Sequence, residues 1–331
     1  MRYIRLGRTG AEVPVVSVGT WGHSGPRRVK RHPVGWSDQD DDAARATLLR
    51  AWEGGLTHWD TADAYGNGHA EELIGSLWAD IPRADIFLAS KVGWEKGQAE
   101  HGYEPSQMRR QIDGSLARLR TETIDLFYLH HCDFGPDDRY LESAVGLLRE
   151  YQTAGKIRWI GLSDWDSSRV ATYAARVNPD VVQVYRSVLH DTFESSGLAK
   201  WVVTADAGAC FFSPLQHGLL LGKYKSPPDF DRGDHRTRRP EFQDPALLAH
   251  LRQCRAEVSS RFASHRQPLL DALITSVVTD SLSACALLGL RRPAHAIAAT
   301  EITADLSPED VDWLRRLYRQ PTTSESAGLA S

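Results

Sequence analysis

Apolar runs of strand length alternate with amphipathic helical segments along most of the chain, which predicts an α/β fold, a parallel (β/α)8 TIM barrel. The helical segments carry apolar residues at helical spacing, such as Leu73, Ile74 and Leu77. Two short β-rich runs at residues 3–6 and 13–18, joined through a glycine-containing connection, predict an N-terminal β-hairpin. We expect the barrel strands at residues 15–19, 56–59, 86–90, 125–129, 158–162, 181–184, 209–213 and 284–288.

The length of 331 residues fits this fold as one domain spanning residues 1–331, because α/β barrels run to about 250 residues or more. A doubly wound Rossmann sheet is the competing fold. It is disfavoured because no G-x-G-x-x-G motif follows the first strand. The polar tail at residues 322–328 is expected to fray.

Charge and cysteine usage restrict the partners. The 39 Lys and Arg residues nearly balance the 43 Asp and Glu residues, so neither nucleic acid nor an anionic membrane is an expected partner. Cys132, Cys210, Cys254 and Cys285 lack CxxC spacing, which indicates neither a disulfide framework nor a metal site and favours a reducing compartment. Without a leader-like start or a run of about 18 apolar residues, we expect a cytoplasmic protein, a monomer or weak homo-oligomer.

Four polar residues each follow a predicted strand, at the barrel face where active sites lie. They are Asp60 and Tyr65 within residues 59–66, then Lys91, then His130. A phenol with a pKa of about 10 is a useful proton donor near neutral pH if a cation lowers that value, and a buried cation needs a carboxylate. Taken one at a time, each has a structural explanation: Asp60 as a helix cap, Tyr65 as a core phenol, Lys91 as a strand-end lysine and His130 as a core histidine. Together they favour a catalytic site.

The order and spacing of Asp60, Tyr65, Lys91 and His130 resemble the catalytic tetrad of the aldo-keto reductase superfamily. In that family the tyrosine donates a proton, the lysine and aspartate tune it, and the histidine orients the carbonyl group. The resemblance extends from the hairpin to the helix beginning near residue 307. It implies NADPH-dependent reduction of a small-molecule aldehyde or ketone to an alcohol, and the same groups serve the reverse reaction.

The resemblance also implies a nicotinamide site at the strand ends. Asp164 stands where the family has asparagine, and it can accept from the carboxamide NH2 but cannot donate to the carbonyl oxygen. Alternatively, Asp164 caps the helix that begins near residue 166. The implied residues here are Gly19, Thr20, Trp21, Ser163, Asp164 and Gln183.

A second departure follows Gln183. The family commonly has an aromatic residue three positions later, stacked on the nicotinamide, and Arg186 occupies that position here. A guanidinium can stack on a flat ring, so we expect Arg186 to lie under the nicotinamide, paired with Asp164. The alternative is a one-residue bulge that brings Tyr185 to the ring instead.

Residues 212–224 resemble the family's pyrophosphate-binding loop. After the last strand, Gly289, Arg291 and Arg292 precede a helix, where two arginines could bind a 2′-phosphate and favour NADPH over NADH; alternatively, the arginines are solvated surface charges. Ala298-Ala299 replaces the family's Glu-Asn pair, which weakens the adenine anchor. The loop residues implied in binding are Ser213, Pro214, Leu215, Gly218, Leu220 and Lys223.

Two other functions remain open. The chain could be a nucleotide-sensing regulatory subunit, or the fold could carry altered chemistry, such as C=C or C=N reduction or a redox-neutral reaction. Substrate choice is assigned to rim loops at residues 21–38, 94–103 and 225–244, whose tryptophans suit a flat or apolar substrate. The last of these loops is either a lid or simply mobile.

Overall fold

The parallel barrel predicted from the strand pattern is confirmed in a computed structural model that describes residues 1–26, 28–29, 32–302 and 305–319. The tail expected to fray lies outside these residues. The strands are β1 (Tyr3–Arg5), β2 (Glu12–Pro14), β3 (Val16–Gly19), β4 (Arg28–Val29), β5 (His32–Pro33), β6 (His58–Asp60), β7 (Phe87–Val92), β8 (Ile124–Leu129), β9 (Ile157–Asp164), β10 (Val181–Tyr185), β11 (Gly208–Phe212) and β12 (Ala284–Gly289).

Strands β3 and β6 to β12 form the closed barrel, and each pairs in parallel with its neighbour in chain order. Helices pack around it, and an acidic N-cap such as Asp40, which accepts from Ala43 N, begins several of them. The helices are α1 (Asp41–Glu53), α2 (His69–Gly75), α3 (Pro105–Arg118), α4 (Leu141–Thr153), α5 (Ser167–Val177), α6 (Leu198–Thr204), α7 (Pro245–Arg261), α8 (Pro268–Val278), α9 (Pro293–Thr300) and α10 (Pro308–Arg319). Among the described helices, none is long and apolar enough to span a membrane.

The predicted hairpin is formed by β1 and β2, and it closes the barrel end where the strands begin. Leu6 and Val13 of the hairpin segment pack with the barrel interior, in one apolar cluster with Val181 at the start of β10. Gly7 has a positive φ of 52°, and a Cβ there would lie 2.3 Å from the backbone of Ala207. With this end sealed by apolar packing, the opposite face is the one available for polar chemistry.

Side chains inside the barrel alternate with side chains that face the helices. Along β7, Phe87 and Ala89 pack with the interior cluster, and Lys91 continues the same face toward the carboxyl end. Near that end the inward-facing side chains change from apolar to polar. Asp60, Lys91 and Gln183 are buried there, and the Asp60 carboxylate accepts hydrogen bonds from the other two. The interior is therefore a packed core with a polar layer at its carboxyl-terminal mouth.

Two rim loops meet beside this mouth. Gly35 forms an isolated parallel bridge with Asp234, and the indole of Trp36 lies 5.9 Å from the imidazole of His235. The loop at residues 225–244 also contains two short 3-10 turns, His235–Arg238 and Pro240–Gln243. The loop after β3 and the loop after β11 thus pack against each other on one side of the barrel opening.

Candidate active site

The structure brings the four candidate catalytic residues together at the barrel mouth. The ammonium of Lys91 donates hydrogen bonds to a carboxylate oxygen of Asp60 and, at 2.7 Å, to the carbonyl of Thr61. Its Nζ also lies 3.4 Å from the hydroxyl of Tyr65. The ring of His130 is 5.9 Å from that of Tyr65, in edge geometry. One cation therefore joins a carboxylate to a phenol, and an imidazole borders the same space.

Backbone contacts hold the strand and loop that carry Asp60 and Tyr65. The Asp60 carbonyl accepts from both the amide and the hydroxyl of Thr20, at 2.9 and 3.0 Å, which ties the exit of β3 to β6. Gly66 follows Tyr65 with φ of +66°, and a Cβ there would lie 2.1 Å from the carbonyl oxygen of Ser24. Only glycine fits this turn without rearrangement. The Thr20–Asp60 hydrogen bonds and the turn at Gly66 therefore place the Tyr65 phenol next to the Lys91 ammonium.

The environment sets the protonation of Lys91. Burial disfavours its ammonium, but Asp60 and Tyr65 together outweigh burial and raise the pKa of Lys91. The lysine is therefore charged at neutral pH.

The phenol and the imidazole are both neutral near pH 7. Burial raises the pKa of Tyr65, and Lys91 lowers it, as expected of a neighbouring cation, but offsets only part of the rise. Burial, followed by the nearby Lys91 charge, holds the pKa of His130 well below its ordinary value. His130 Nδ1 is buried without a hydrogen-bond partner among the described residues. The site therefore combines a protonated phenol with a neutral imidazole.

Gln183 extends the polar layer beneath the mouth. Its amide nitrogen donates to the second carboxylate oxygen of Asp60 at 2.8 Å, so both oxygens of that carboxylate are bonded. Ser163 is its direct partner on β9 and is also buried. Gly19, at the end of β3, pairs with Gly289 on one side and Asp60 on the other.

The predicted pairing of Asp164 with Arg186 is wrong. Both carboxylate oxygens of Asp164 accept backbone amides, from Cys132 at 2.8 Å and from Asp166 at 3.0 Å. The cap of α5 is Asp166 itself, which accepts from the amide of Ser168, so Asp164 acts on the residue before that helix rather than as its N-cap. The Asp164 carboxylate therefore holds the backbone of the loops that follow β8 and β9.

Arg186 lies on the helix-facing side of the barrel and not in the mouth. Its guanidinium is fully buried and binds Asp191 at 3.0 Å and Asp280 at 2.6 Å. It also donates to the carbonyl of Val277 at 2.8 Å and lies 4.7 Å from the ring of Phe211. Its assignment to the nicotinamide site is therefore corrected: Arg186 ties the end of β10 to α8 and the loop that follows it.

Strand alternation explains this error. Residues that face the same side of a strand are two positions apart. Arg186, three positions after Gln183, therefore faces the opposite side. Tyr185 occupies the same face as Gln183, and the pairing of β10 with β11 runs without interruption through Tyr185 and Phe212. No bulge is therefore needed to bring Tyr185 to the mouth. Its ring lies 5.4 Å from Trp165 and 5.0 Å from His190, which gives the mouth an aromatic wall.

The predicted phosphate loop winds tightly after β11. Ser213 has φ of 57°, and the 3-10 segment Gln216–Leu221 that follows contains His217 with φ of 57° and Gly218 with φ of 87°. Pro214 is buried, and Leu215 packs against the main barrel cluster and against a second apolar cluster that includes residues of α7 and α10. Leu220 is fully buried in that second cluster. A Cβ on Gly218 would lie 4.0 Å from the ammonium of Lys223, so this glycine brings the backbone close to the lysine.

The two arginines after β12 have different environments. The Arg291 guanidinium binds Asp38 and lies 4.5 Å from the Trp36 ring centre, and its buried Nε has no hydrogen-bond partner within the described ranges. Arg292 is exposed and is the N-cap residue of α9. Only Arg292 therefore matches the alternative of a solvated surface charge. Ala299, one of the two alanines in place of the adenine pair, is buried in the core.

A group of aromatic rings and imidazoles beside the phosphate loop was not anticipated. Trp21 contacts Trp36, His217 and His235, and the last two rings are 4.4 Å apart. Burial, with a neighbouring histidine and arginines, holds the pKa of His217 well below its ordinary value. Trp21 and Trp36 were expected together in one rim loop, but His217 and His235 are far from them in sequence. The signal available for the histidines was their position in the long segment between β11 and α7.

A (β/α)8 barrel with converging polar side chains at the carboxyl ends of its strands has the architecture of the barrel enzymes. The chain belongs to the Aldo/keto reductase family, whose family profile matches residues 16–319. Members of this family are oxidoreductases that use nicotinamide cofactors.

Individual relatives and solved structures agree with this assignment. The chain is 35% identical to aldo-keto reductase yakc [NADP(+)] of Schizosaccharomyces pombe, over 65% of each chain. It is 27% identical to aldo-keto reductase YhdN of Bacillus subtilis, over 94% of this chain and 91% of that protein. The glycerol dehydrogenase AKR11B4 of Gluconobacter oxydans shares the fold, with a TM-score of 0.80, 24% identity and 99% coverage of both chains.

Proposed function

We propose that this protein is an NADPH-dependent reductase of small aldehydes or ketones, with Tyr65 as the proton donor. The observation that carries the proposal is the position of Lys91 between the Asp60 carboxylate and the Tyr65 hydroxyl, next to a neutral His130. This arrangement suits general acid catalysis because a protonated phenol has a fixed cation beside it to receive its negative charge.

Each residue has a distinct task in this scheme. When bound, the nicotinamide supplies the hydride. Tyr65 donates its proton to the carbonyl oxygen, and Lys91, at 3.4 Å, stabilises the phenolate that remains. Asp60 and the Thr61 carbonyl keep the ammonium charged and fixed. His130 is neutral and presents its imidazole beside Tyr65, where it orients the carbonyl group.

The mouth fits a phosphorylated dinucleotide in its donor set. Lys223, Arg236 and Arg291 are close enough for their charges to interact, since both arginines, after burial, lower the pKa of Lys223. The buried Nε of Arg291, which has no hydrogen-bond partner among the described residues, and the Lys223 ammonium beside Gly218 are donors suited to phosphate oxygens. We assign the 2′-phosphate of NADPH to exposed Arg292, the N-cap residue of α9, because a guanidinium binds phosphate well. Relatives are named for both cofactors, one NADP(+) and one NADH-specific.

The substrate class follows from the walls of the mouth. Trp94 lies 6.0 Å from His130, and Trp165 lies 5.4 Å from Tyr185; both indoles are about half exposed, at 52% and 46%. Such walls favour a compact carbonyl compound with an apolar or flat face. A relative from Escherichia coli with 28% identity is named an NADH-specific methylglyoxal reductase. Small α-oxoaldehydes are therefore included in the substrate class that we propose.

Tyr65→Phe tests the donor role. It should lower kcat for aldehyde reduction by about 10² to 10⁴, the usual contribution of general acid catalysis, while leaving the NADPH dissociation constant nearly unchanged. Tyr173→Phe is the matched control, because that phenol donates to Asp138 and contacts none of the four candidate catalytic residues in the described structure. The assay follows NADPH oxidation with a panel of aldehydes and a fluorescence titration of NADPH. A Tyr65→Phe enzyme that keeps more than about a tenth of the wild-type kcat contradicts the role.

A further inference from the structure

Two of the four cysteines meet inside the barrel, although 75 positions separate them in the chain. Cys210 on β11 and Cys285 on β12 are direct partners in the strand pairing, and both are fully buried. Their sulfur atoms lie 3.3 Å apart. This contact is outside the proposed catalytic group, and no CxxC spacing marks it along the chain.

The two sulfurs have different surroundings. His58 Nδ1 lies 3.7 Å from the Cys285 sulfur and 2.9 Å from the hydroxyl of Ser17. The contact with Cys210 lowers the pKa of Cys285 despite burial, with help from His58, whereas burial raises the pKa of Cys210. Cys285 is the thiol that contacts an imidazole, whereas the Cys210 sulfur lies 3.5 Å from the hydroxyl of Tyr128. Since a thiolate is the reactive form of cysteine, Cys285 is the nucleophile of the two.

We propose that Cys210 and Cys285 form a dithiol that a small hydroperoxide oxidises to an intramolecular disulfide within the folded barrel. The Cys285 thiolate attacks one peroxide oxygen and the O–O bond breaks, which gives the Cys285 sulfenic acid and a hydroxide. The hydroxide takes up the proton that Cys285 lost on ionisation and leaves as the first water. Cys210 then attacks the Cys285 sulfur and gives up its proton, and the departing hydroxyl leaves as the second water. Two thiols are oxidised and one hydrogen peroxide is reduced to two waters.

Strand geometry permits the bond. Paired strands lie about 4.8 Å apart, which falls within the range of about 4.4 to 6.8 Å between Cα atoms that disulfides span. The sulfurs, at 3.3 Å, have to approach to about 2.05 Å for the bond to form. Because both are fully buried, the oxidant enters through local opening of the barrel, and the reaction is slower than that of an exposed thiol.

A metal ion fits the same atoms less well. The ligand atoms of His58, Cys210 and Cys285 lie within 4.8 Å of one another. Two thiolates on a tetrahedral zinc, each at about 2.3 Å from the ion, are about 3.8 Å apart, whereas these sulfurs are at 3.3 Å. The sulfurs are therefore placed better for a bond with each other than for sharing an ion.

The test exposes folded wild-type protein to hydrogen peroxide, quenches it in acid, and counts and maps thiols by alkylation and mass spectrometry. We expect the count to fall from four to two, a mass decrease of two hydrogens, one crosslinked peptide joining Cys210 to Cys285, and full reversal by dithiothreitol. Cys285→Ser should form no such crosslink. Cys210→Ser should accumulate a sulfenic acid at Cys285 that dimedone traps, because the resolving thiol is missing.

Cys254→Ser and Cys132→Ser are the matched controls. Both cysteines are buried, and burial raises the pKa of each. Either variant should keep the Cys210–Cys285 crosslink. Three results would each overturn the proposal. They are crosslinks to Cys132 or Cys254, a Cys210–Cys285 pair that stays reduced while a reference protein with a surface thiol is fully oxidised, and bound zinc that protects these two thiols from alkylation. Because the thiol map of the wild-type protein needs no substitution, it decides the proposal even if a variant fails to fold.

Discussion

Replacing Lys91 by methionine probes stability and catalysis through one buried contact. The substitution keeps an unbranched side chain but removes the ammonium that binds Asp60, Thr61 and Tyr65. Among the described residues, the Asp60 carboxylate then retains only the hydrogen bond from Gln183, at 2.8 Å, in a position that is 98% buried. We therefore expect both the fold and proton transfer to suffer.

The expected magnitudes follow from these contacts. Breaking a buried ion pair by removing one partner costs about 3 to 5 kcal/mol. With an unfolding entropy of about 2.1 cal/mol/K per residue, this is a fall in Tm of about 4 to 7 °C for a chain of 331 residues. Losing the charged contact to the phenol, a hydrogen bond of about 1.5 to 3 kcal/mol, should lower kcat by about ten- to hundredfold.

The pH dependence supplies a sign for the same contact. Asp60 and Tyr65 outweigh burial and raise the pKa of Lys91 above its ordinary value of about 10.4. Its contribution to stability is therefore fully present below pH of about 10.4 and is lost as the pH rises through the raised value. The Tm difference between wild type and Lys91→Met should accordingly be constant near neutral pH and shrink in strongly alkaline buffer.

Thermal unfolding by circular dichroism, steady-state kinetics and a double-mutant cycle check this reasoning. Asp60→Asn alone leaves a buried ammonium without its carboxylate, so the double variant with Lys91→Met should be less destabilised than the sum of the singles, by about 0.5 to 3 kcal/mol. Additive losses, or a Lys91→Met protein with wild-type Tm and activity, would refute the buried pair as the organiser of the site.

Three further substitutions address other parts of the barrel. Arg186→Met should lower the free energy of unfolding by about 3 kcal/mol, because two aspartates lose the guanidinium that binds them. The ratio of NADP+ to NADPH dissociation constants should stay unchanged. A shifted ratio would indicate that Arg186 does act on the nicotinamide. Arg292→Ala should weaken NADPH about tenfold and NADH hardly at all, measured by fluorescence titration, and equal losses would reject a 2′-phosphate contact. Gly66→Ala combines φ of +66° with a Cβ 2.1 Å from the Ser24 carbonyl, whereas Gly155→Ala, with φ of +72° and open space, carries the backbone strain alone. The first should lose more Tm than the second, and equal losses would show that the loop relaxes.

The barrel was predictable because its strands are buried on both faces. Such strands are short continuous apolar runs between helical segments, and each of the eight runs lies within a few residues of an observed barrel strand. The four catalytic candidates could be found for a related reason. Strand ends in this fold converge on one rim, so polar residues that follow different strands become neighbours without any sequence proximity.

Arg186 shows where that reasoning fails. Its position was counted from Gln183 along a family pattern, but the face that a side chain takes depends on whether the count is odd or even. Its partners Asp191 and Asp280 belong to the loop after β10 and to the turn after α8, so no local motif marks them as a buried ion-pair set. The guanidinium is positioned by tertiary packing that the strand pattern does not encode.

The cysteine contact was hidden for a different reason. Cys210 and Cys285 meet because β11 and β12 are neighbours in the barrel and their register aligns these two positions. Adjacency follows from the fold, but register depends on the lengths of the intervening loops and helices, here residues 213–283. A one-residue slip would turn one sulfur toward the helices and leave the other inside the barrel. The dithiol is therefore a property of register, and the same strand alternation that removes Arg186 from the mouth places Cys210, Cys285 and His58 in one interior layer beneath it.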